Sequence, residues 1–332
     1  MMYYMRTIYL CLFILILNIS LLLNGACTVM AESVNEEWSG NPLQSENAEQ
    51  HGSEAEAQSE DVEQNEGQRQ HDTEENELES KIKLKIISIN IHTAKNWNGI
   101  FDLDSLVEFL KSEDPDIIGM QEVDRNWSKR SMFLDLCTEL SSRLNMYHAY
   151  SASLERAQGY YGNLILSKYP IVQSRAEKLP STLETRSFVY GQVYLAGAWI
   201  NIINTHLGLS EVDRYLQASK IDHFSKGLKG PLIIMGDFNA EASDPGVQIL
   251  KQNKQDLQEM SEYCSWGTFR AQSGQLTGRI DYILVSNEFE YQSFKIVDNY
   301  ISDHLPLIAE ISLKSEPFST TGEPVFLNPF SL

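Results

Sequence analysis

Pro231-Leu232-Ile233-Ile234-Met235-Gly236-Asp237-Phe238-Asn239-Ala240 is the stretch on which the reading of this chain turns. Residues 232–235 form an apolar run of strand length, of the kind buried on both faces. It stops at a glycine, and an acid and an amide follow two residues apart. Positions i and i+2 of an extended backbone point the same way, so Asp237 and Asn239 are expected to face one site together. A strand that ends in paired oxygen ligands can present a hard cation or a water to a phosphate. A plain Gly-Asp turn is the simpler alternative for this stretch alone. The choice depends on the other strand ends.

Those ends carry the same kind of residue. Ser88-Ile89-Asn90-Ile91-His92 closes an alternating strand on Asn90, with His92 read as a surface histidine. Ile117-Ile118-Gly119-Met120-Gln121-Glu122-Val123 ends in a glutamate that is costly to bury unpaired, its alternative partners being Arg125 and Arg130. Ile202-Ile203-Asn204-Thr205-His206 places Asn204 and His206 on one face by alternation. Arg279-Ile280-Asp281-Tyr282-Ile283 puts an acid in an apolar strand, with Arg279 as its simplest partner, and Ser302-Asp303-His304-Leu305-Pro306-Leu307 opens a strand with an Asp-His pair. The set is rich in oxygen donors and has no thiolate cluster, which favours Mg²⁺ or Mn²⁺ over zinc. The sequence has no Gly-x-x-x-x-Gly-Lys phosphate loop, and nothing around Ser302 resembles a nucleophile elbow.

The order of these pieces (SINIH, MQEVD, YYGNLILSKYP, NTHL, GDFN, RIDYILVS, SDHLPL) resembles the endonuclease/exonuclease/phosphatase family, the deoxyribonuclease-I-like metal phosphoesterases, over about 83–313. The resemblance implies an α/β fold, a four-layered αββα sandwich with the site at one edge of two packed sheets. It implies Glu122 as principal metal ligand with Asn90 beside it and Asp303 as a further metal or water contact. It implies Asp237 and Asn239 as positioning the attacking water and the scissile phosphate. By the same resemblance His206 contacts the phosphate, His304 is the second active-site histidine and Asp281 orients a histidine. Asn163 and Arg186 match supporting positions. In chemical terms, imidazolium at His206 or His304 would donate to phosphoryl oxygens, and Asp237 would be the base or water-orienting group.

The remainder of the chain bears on placement. Residues 1–31 carry a single charge, Arg6, ahead of an apolar run over 8–23. That reads as a secretory signal, with an uncleaved anchor or a lipoprotein-type leader as alternatives. Residues 32–80 hold sixteen acids against one base, Arg69, and few large apolar groups, the composition of an extended, disordered tether. Of the net charge of −20 this linker supplies −15 and the leader +1, which leaves −6 for residues 81–332. A catalytic domain is expected over 81–316, followed by a tail over 317–332. A mildly acidic domain argues against gripping a polyanion by bulk charge. Cys11 and Cys27 lie in the leader region, and the pairing of Cys137 and Cys264 is open.

The expectation is therefore an exported, metal-dependent phosphodiesterase acting on a lipid headgroup or other small surface phosphoester, possessing Mg²⁺ or Mn²⁺ and tethered through its N-terminus. A secreted nuclease is the alternative, and a non-catalytic surface-binding module on the same fold the remoter one. Tyr160, Tyr161 and Trp97 are candidate cleft aromatics, with core packing the plainer use.

Overall fold

Neighbouring isoleucines sort the core into layers. Ile86 and Ile87, Ile117 and Ile118, Ile202 and Ile203, and Ile233 and Ile234 are all fully buried, yet the two members of each pair join different apolar clusters. Two strand faces, both buried, require a layer on each side. The computed structural model describes residues 83–195 and 197–314. The leader, the acidic linker and the tail expected from the sequence lie outside the described residues.

One six-stranded sheet runs in the order β13 (Phe289–Ile296), β14 (Leu307–Leu313), β1 (Lys83–Asn90), β2 (Ile117–Arg125), β4 (Gly159–Ser167), β3 (Tyr147–Arg156). The other runs β5 (Ile171–Leu179), β6 (Arg186–Leu195), β7 (Ala198–His206), β8 (Leu232–Asp237), β12 (Asp281–Ser286), β9 (Lys254–Asp256). Ile86, Ile117, Ile202, Ile233 and Ile283 meet between the sheets. The outer face of the first sheet is covered by α1 (Leu103–Glu113) and α2 (Leu136–Leu144) through Leu106, Leu110 and Leu140. The second is covered by α3 (Glu211–Lys226) and α4 (Pro245–Lys251) through Ile221, Val247 and Leu250. This is a four-layered αββα sandwich.

Strand directions place the site. β1 and β2 are parallel, as are β7 and β8, while β14 and β12 run antiparallel to them. The C-terminal ends of β1, β2, β7 and β8 and the N-terminal ends of β12 and β14 therefore share one edge. Lys83 pairs with Ser312 at the opposite edge. Gly236 has φ +144°, and a Cβ there would lie 1.9 Å from the Thr205 carbonyl oxygen. Gly236→Ala is thus expected to destabilise the fold by on the order of 3 kcal/mol or more, read as a lowered urea midpoint.

The pattern of apolar residues departs from the observed elements in three places. The apolar spacing over 132–145 predicts one helix, but the helix begins only at Leu136, because Asp135 caps it and Met132 and Phe133 are left-handed (φ 52° and 55°). The strand-forming stretch over 187–207 folds as two antiparallel strands, β6 and β7. The strands β3 and β5 leave little apolar signal, because each lies at a sheet edge with alternate residues exposed and so lacks a continuous apolar run. No disulfide links Cys137 and Cys264.

Candidate active site

Alternation along β8 turns Ile233, Met235 and Asp237 between the sheets, and along β12 it does the same for Ile283 and Asp281. The two aspartates are direct cross-strand partners, both 1% exposed. Like charges placed opposite each other are unfavourable unless a cation intervenes. His304 supplies it. Its Nδ1 lies 2.9 Å from Asp281 Oδ2, and its Nε2 lies 3.7 Å from Asp237 Oδ2. Burial alone would lower the His304 pKa, but the carboxylates of Asp281 and Asp237 outweigh it and hold the ring charged well above its usual range. Burial, reinforced by Asp281, raises the Asp237 carboxyl, against the opposing pull of His304.

His206 behaves oppositely. Its Nε2 is 3.4 Å from Asp237 Oδ2, and its Nδ1 is 3.5 Å from the Arg186 guanidinium. Burial, then Arg186 and His304, push its pKa well below the ordinary value. Of the two histidines offered as imidazolium, His304 is the one its surroundings hold charged, and His206 the one its surroundings discharge. A guanidinium facing Nδ1 favours that nitrogen as the acceptor and places the ring proton on Nε2, the nitrogen nearer Asp237.

Asn90 stands on the inner face of β1. Its Nδ2 donates to both Glu122 Oε1 and Asp237 Oδ2, each at 3.1 Å, while its oxygen accepts from the His92 N–H at 3.0 Å. The side chain thus turns its nitrogen toward the two carboxylates. Glu122 reaches this position by an irregularity. Regular alternation would send it outward with Ile118 and Met120, toward the helices. A bulge between Met120 and Val123, with Glu122 at φ 59°, brings Gln121 and Glu122 inward one after the other. The alternative partners named for Glu122 are engaged elsewhere: Arg125 pairs with Asp135 and Arg130 with Asp124. Arg279, the alternative partner for Asp281, pairs with Asp256 and Glu259.

Asn239 does not share a strand face with Asp237. The strand ends at Asp237, and Asn239 is left-handed (φ 52°). Its backbone N–H donates to Asp237 Oδ1 at 2.9 Å, and its side-chain nitrogen donates to the Leu207 carbonyl at 2.9 Å. Asp303 lies 3.5 Å from His92 Nδ1 and 3.2 Å from the Ser302 hydroxyl, which donates to the Asn90 carbonyl at 2.7 Å. Ser302 is thereby a tie between β1 and the loop before β14. Asn163 donates to the Ser187 carbonyl at 2.8 Å, and Arg186 pairs with Glu184 at 2.7 Å. Asn204 is not at the mouth. It is buried between the sheets, where it accepts from Gln121 at 2.6 Å and donates to the Met120 and Leu164 carbonyls. Tyr161 packs beneath Trp127, and Trp97 lies against Tyr300.

Two contributors escaped the sequence. The Thr268 hydroxyl donates to Asp281 Oδ2 at 2.6 Å and accepts from the Ile280 and Asp281 N–H groups. Phe269 stands against the His304 ring, with centroids 5.0 Å apart. Thr268 precedes and Phe269 begins the two-residue strand β10 (Phe269–Arg270), paired with β11 (Leu276–Thr277), and so short a pair carries no periodicity to read. Thr268→Val removes the hydroxyl while keeping the shape. Turnover is expected to fall about tenfold as Asp281 and His304 lose their fixed orientation, measured as kcat on a soluble phosphoester.

The described residues hold one group of three ligand-bearing side chains, Asp237, Asp281 and His304, with their ligand atoms within 4.8 Å of one another. His304 Nδ1 and Asp281 are hydrogen-bonded to each other, however, so this array is arranged to hold a proton between carboxylates. Glu122 is better suited to an ion. It is half-buried, reached by one amide donor, and belongs to none of the ion pairs of the described residues. An oxygen donor of this kind fits a hard divalent cation.

The endonuclease/exonuclease/phosphatase family model matches residues 87–304, and the chain belongs to that family. It is similar to the uncharacterized protein YbhP of Escherichia coli K12, 27% identical over 254 residues, covering 70% of this chain and 98% of that protein. Among solved structures it resembles the endonuclease/exonuclease/phosphatase protein of Beutenbergia cavernae, at a TM-score of 0.60 and 20% identity over 70% of this chain and 72% of that one. It also resembles the mannosyl-6-phosphatase of Bacteroides thetaiotaomicron, at a TM-score of 0.55 and 19% identity over 69% and 99%. At these identities the structural likenesses establish the fold alone.

Proposed function

We propose that this protein is a divalent-metal-dependent phosphodiesterase that works outside the cytoplasm. The observation that carries the reading is the convergence at one sheet edge of Glu122, Asn90, Asp237 and His206 with the Asp281–His304 pair. Glu122 and Asp303 are the residues that would hold the cation, Mg²⁺ or Mn²⁺. When bound, the ion supplies positive charge and Lewis acidity to the phosphoryl oxygens.

The chain's own groups supply the rest. Asp237, raised by burial, is suited to accept a proton from an attacking water near neutral pH. The His304 imidazolium, anchored on Asp281, is a charged donor for a phosphoryl oxygen as negative charge develops. His206 keeps Nε2 3.4 Å from Asp237 Oδ2, with Arg186 facing its Nδ1. Asn239 holds the second oxygen of Asp237 through its backbone N–H. The apolar leader and the acidic linker support export and tethering at a surface.

The test uses the full chain, stripped with chelator and reloaded with Mg²⁺ or Mn²⁺. Bis-p-nitrophenyl phosphate, plasmid DNA and a phospholipid are hydrolysed in parallel. The expected result is metal-dependent cleavage of the diester and the phospholipid with plasmid left intact. Preferential plasmid cleavage would make the protein a nuclease. A folded protein silent on every ester would leave a binding module.

A further inference from the structure

The loops at the active-site edge carry an unusual share of the apolar surface. Of the fifteen exposed large apolar side chains among the described residues, eight lie in the segments 91–102, 126–135, 180–185, 207–210, 257–280 and 297–306. All of these segments leave or enter strands at that edge. Only Tyr147, Val172 and Tyr194 mark the opposite edge. Leu183 is 72% exposed and Leu209 69%, more than any other of the fifteen. Scattered exposed apolar groups need no explanation, but a set gathered around one mouth does.

The loops are also built to hold these side chains out. Buried Asp213 accepts from both the backbone N–H and the hydroxyl of Thr182, the residue before Leu183. Gln217, fully buried in α3, donates to the Pro180 carbonyl and the Ser181 hydroxyl and accepts from the Gly208 N–H, next to Leu209. On the other sheet, Met132 and Phe133 are consecutive left-handed residues, exposed, and braced by the buried Asp124 with Arg130 and Ser131. Large side chains held in that conformation and turned to water stand against both backbone and solvation preference.

Charge selects the occupant. The loops at this edge, including 157–158 and 238–244, carry five Lys and Arg against nine Asp and Glu. Three of those five (Arg130, Arg270 and Arg279) are already paired with Asp124, Asp298 and Asp256. An apolar rim without surplus positive charge suits neither a nucleic acid nor an anionic membrane. It suits a zwitterionic lipid surface, into which Leu and Phe tips insert without basic anchors. The chain outside the described residues is compatible with this. The 49 residues 32–80, extended, reach on the order of 160 Å, enough for the site edge to turn toward a surface that holds the apolar leader.

We propose that the rim formed by Phe133, Leu183, Leu209 and their neighbours docks the active-site edge onto a zwitterionic phospholipid surface, so that the substrate is a phosphoester presented there. This rests on the phosphoesterase reading for the hydrolysis and on the rim alone for the docking, and the experiment separates the two. The full chain is mixed with phosphatidylcholine vesicles whose acyl chains are brominated, and Trp266, itself part of the rim, reports contact by quenching. Trp266→Phe defines the background from the other tryptophans. Hydrolysis of the vesicle lipid and of bis-p-nitrophenyl phosphate is followed in the same samples.

The expected result is Trp266 quenching by phosphatidylcholine at least as strong as by phosphatidylglycerol. The triple variant Phe133→Ser, Leu183→Ser, Leu209→Ser should lose that quenching and about tenfold or more of vesicle-lipid hydrolysis, with the soluble ester turned over unchanged. Absence of Trp266 quenching in the wild type overturns the docking, whatever the esters do. So does quenching that survives the triple variant. A dimer that the triple variant dissociates would also overturn it, assigning the rim to a second copy. Quenching as expected without hydrolysis of any ester would sustain the docking and remove the phosphoesterase reading.

Discussion

Replacing Glu122 by Gln is expected to lower metal-dependent turnover on the order of 10³-fold while leaving the fold intact. Glu122 is half-buried at a bulge, and Gln occupies its left-handed conformation as well as Glu does. Its amide oxygen still accepts from Asn90, so the contact that shapes the site survives. What is lost is one negative charge and one anionic donor. Two measurements check this: kcat/KM across a Mn²⁺ titration, and direct Mn²⁺ binding by calorimetry. Loss of both places the ion at Glu122. Full activity with unchanged binding would assign the cation elsewhere, with the Asp237, Asp281 and His304 group next in line.

Asp237→Asn is expected to cost roughly 10²–10⁴-fold in kcat, because the proton acceptor is removed without changing its shape. Its stability should move the other way. Burial first, and then Asp281, raise the Asp237 pKa in the folded protein. A carboxyl raised on folding binds its proton more tightly in the native state, so the native state loses stability as pH rises through that elevated value. Asn at 237 removes this dependence. In chelator, the variant should therefore unfold at a higher temperature than the wild type at pH 8, and the advantage should shrink on acidification. A variant less stable than the wild type at pH 8 would mean that the carboxylate's attraction to His304 outweighs the desolvation.

Most of this site could be read from the chain because its residues obey alternation. Asn90, His206, Asp237 and Asp281 each lie two or four residues along from an apolar side chain that faces the other sheet, so a period of two carries them to the inner face. Glu122 stands in the MQEVD stretch, but alternation alone directs it toward α1 and α2. The bulge that turns it inward leaves no mark in MQEVD that a periodicity could find. Asn239 does not share the face of Asp237 because the strand stops at Asp237, two residues short of it, so a period of two does not apply. Which histidine is charged was beyond the sequence. It depends on Arg186 facing one ring and Asp281 the other, contacts across 20 and 23 residues of chain. Thr268 had no legible signal, since it lies outside any strand or helix and acts through a single hydroxyl.

The pairing of Lys83 with Ser312 has a practical consequence. The polypeptide enters and leaves the described fold side by side, on the face turned away from the mouth. A domain with that layout is a cassette: it can be spliced into a surface loop of another protein, or carried at either end of one, without obstructing the opening. Immobilised through either end, it would still offer its mouth to the solution. Cargo on both flanks would approach each other while the catalytic rim stayed clear.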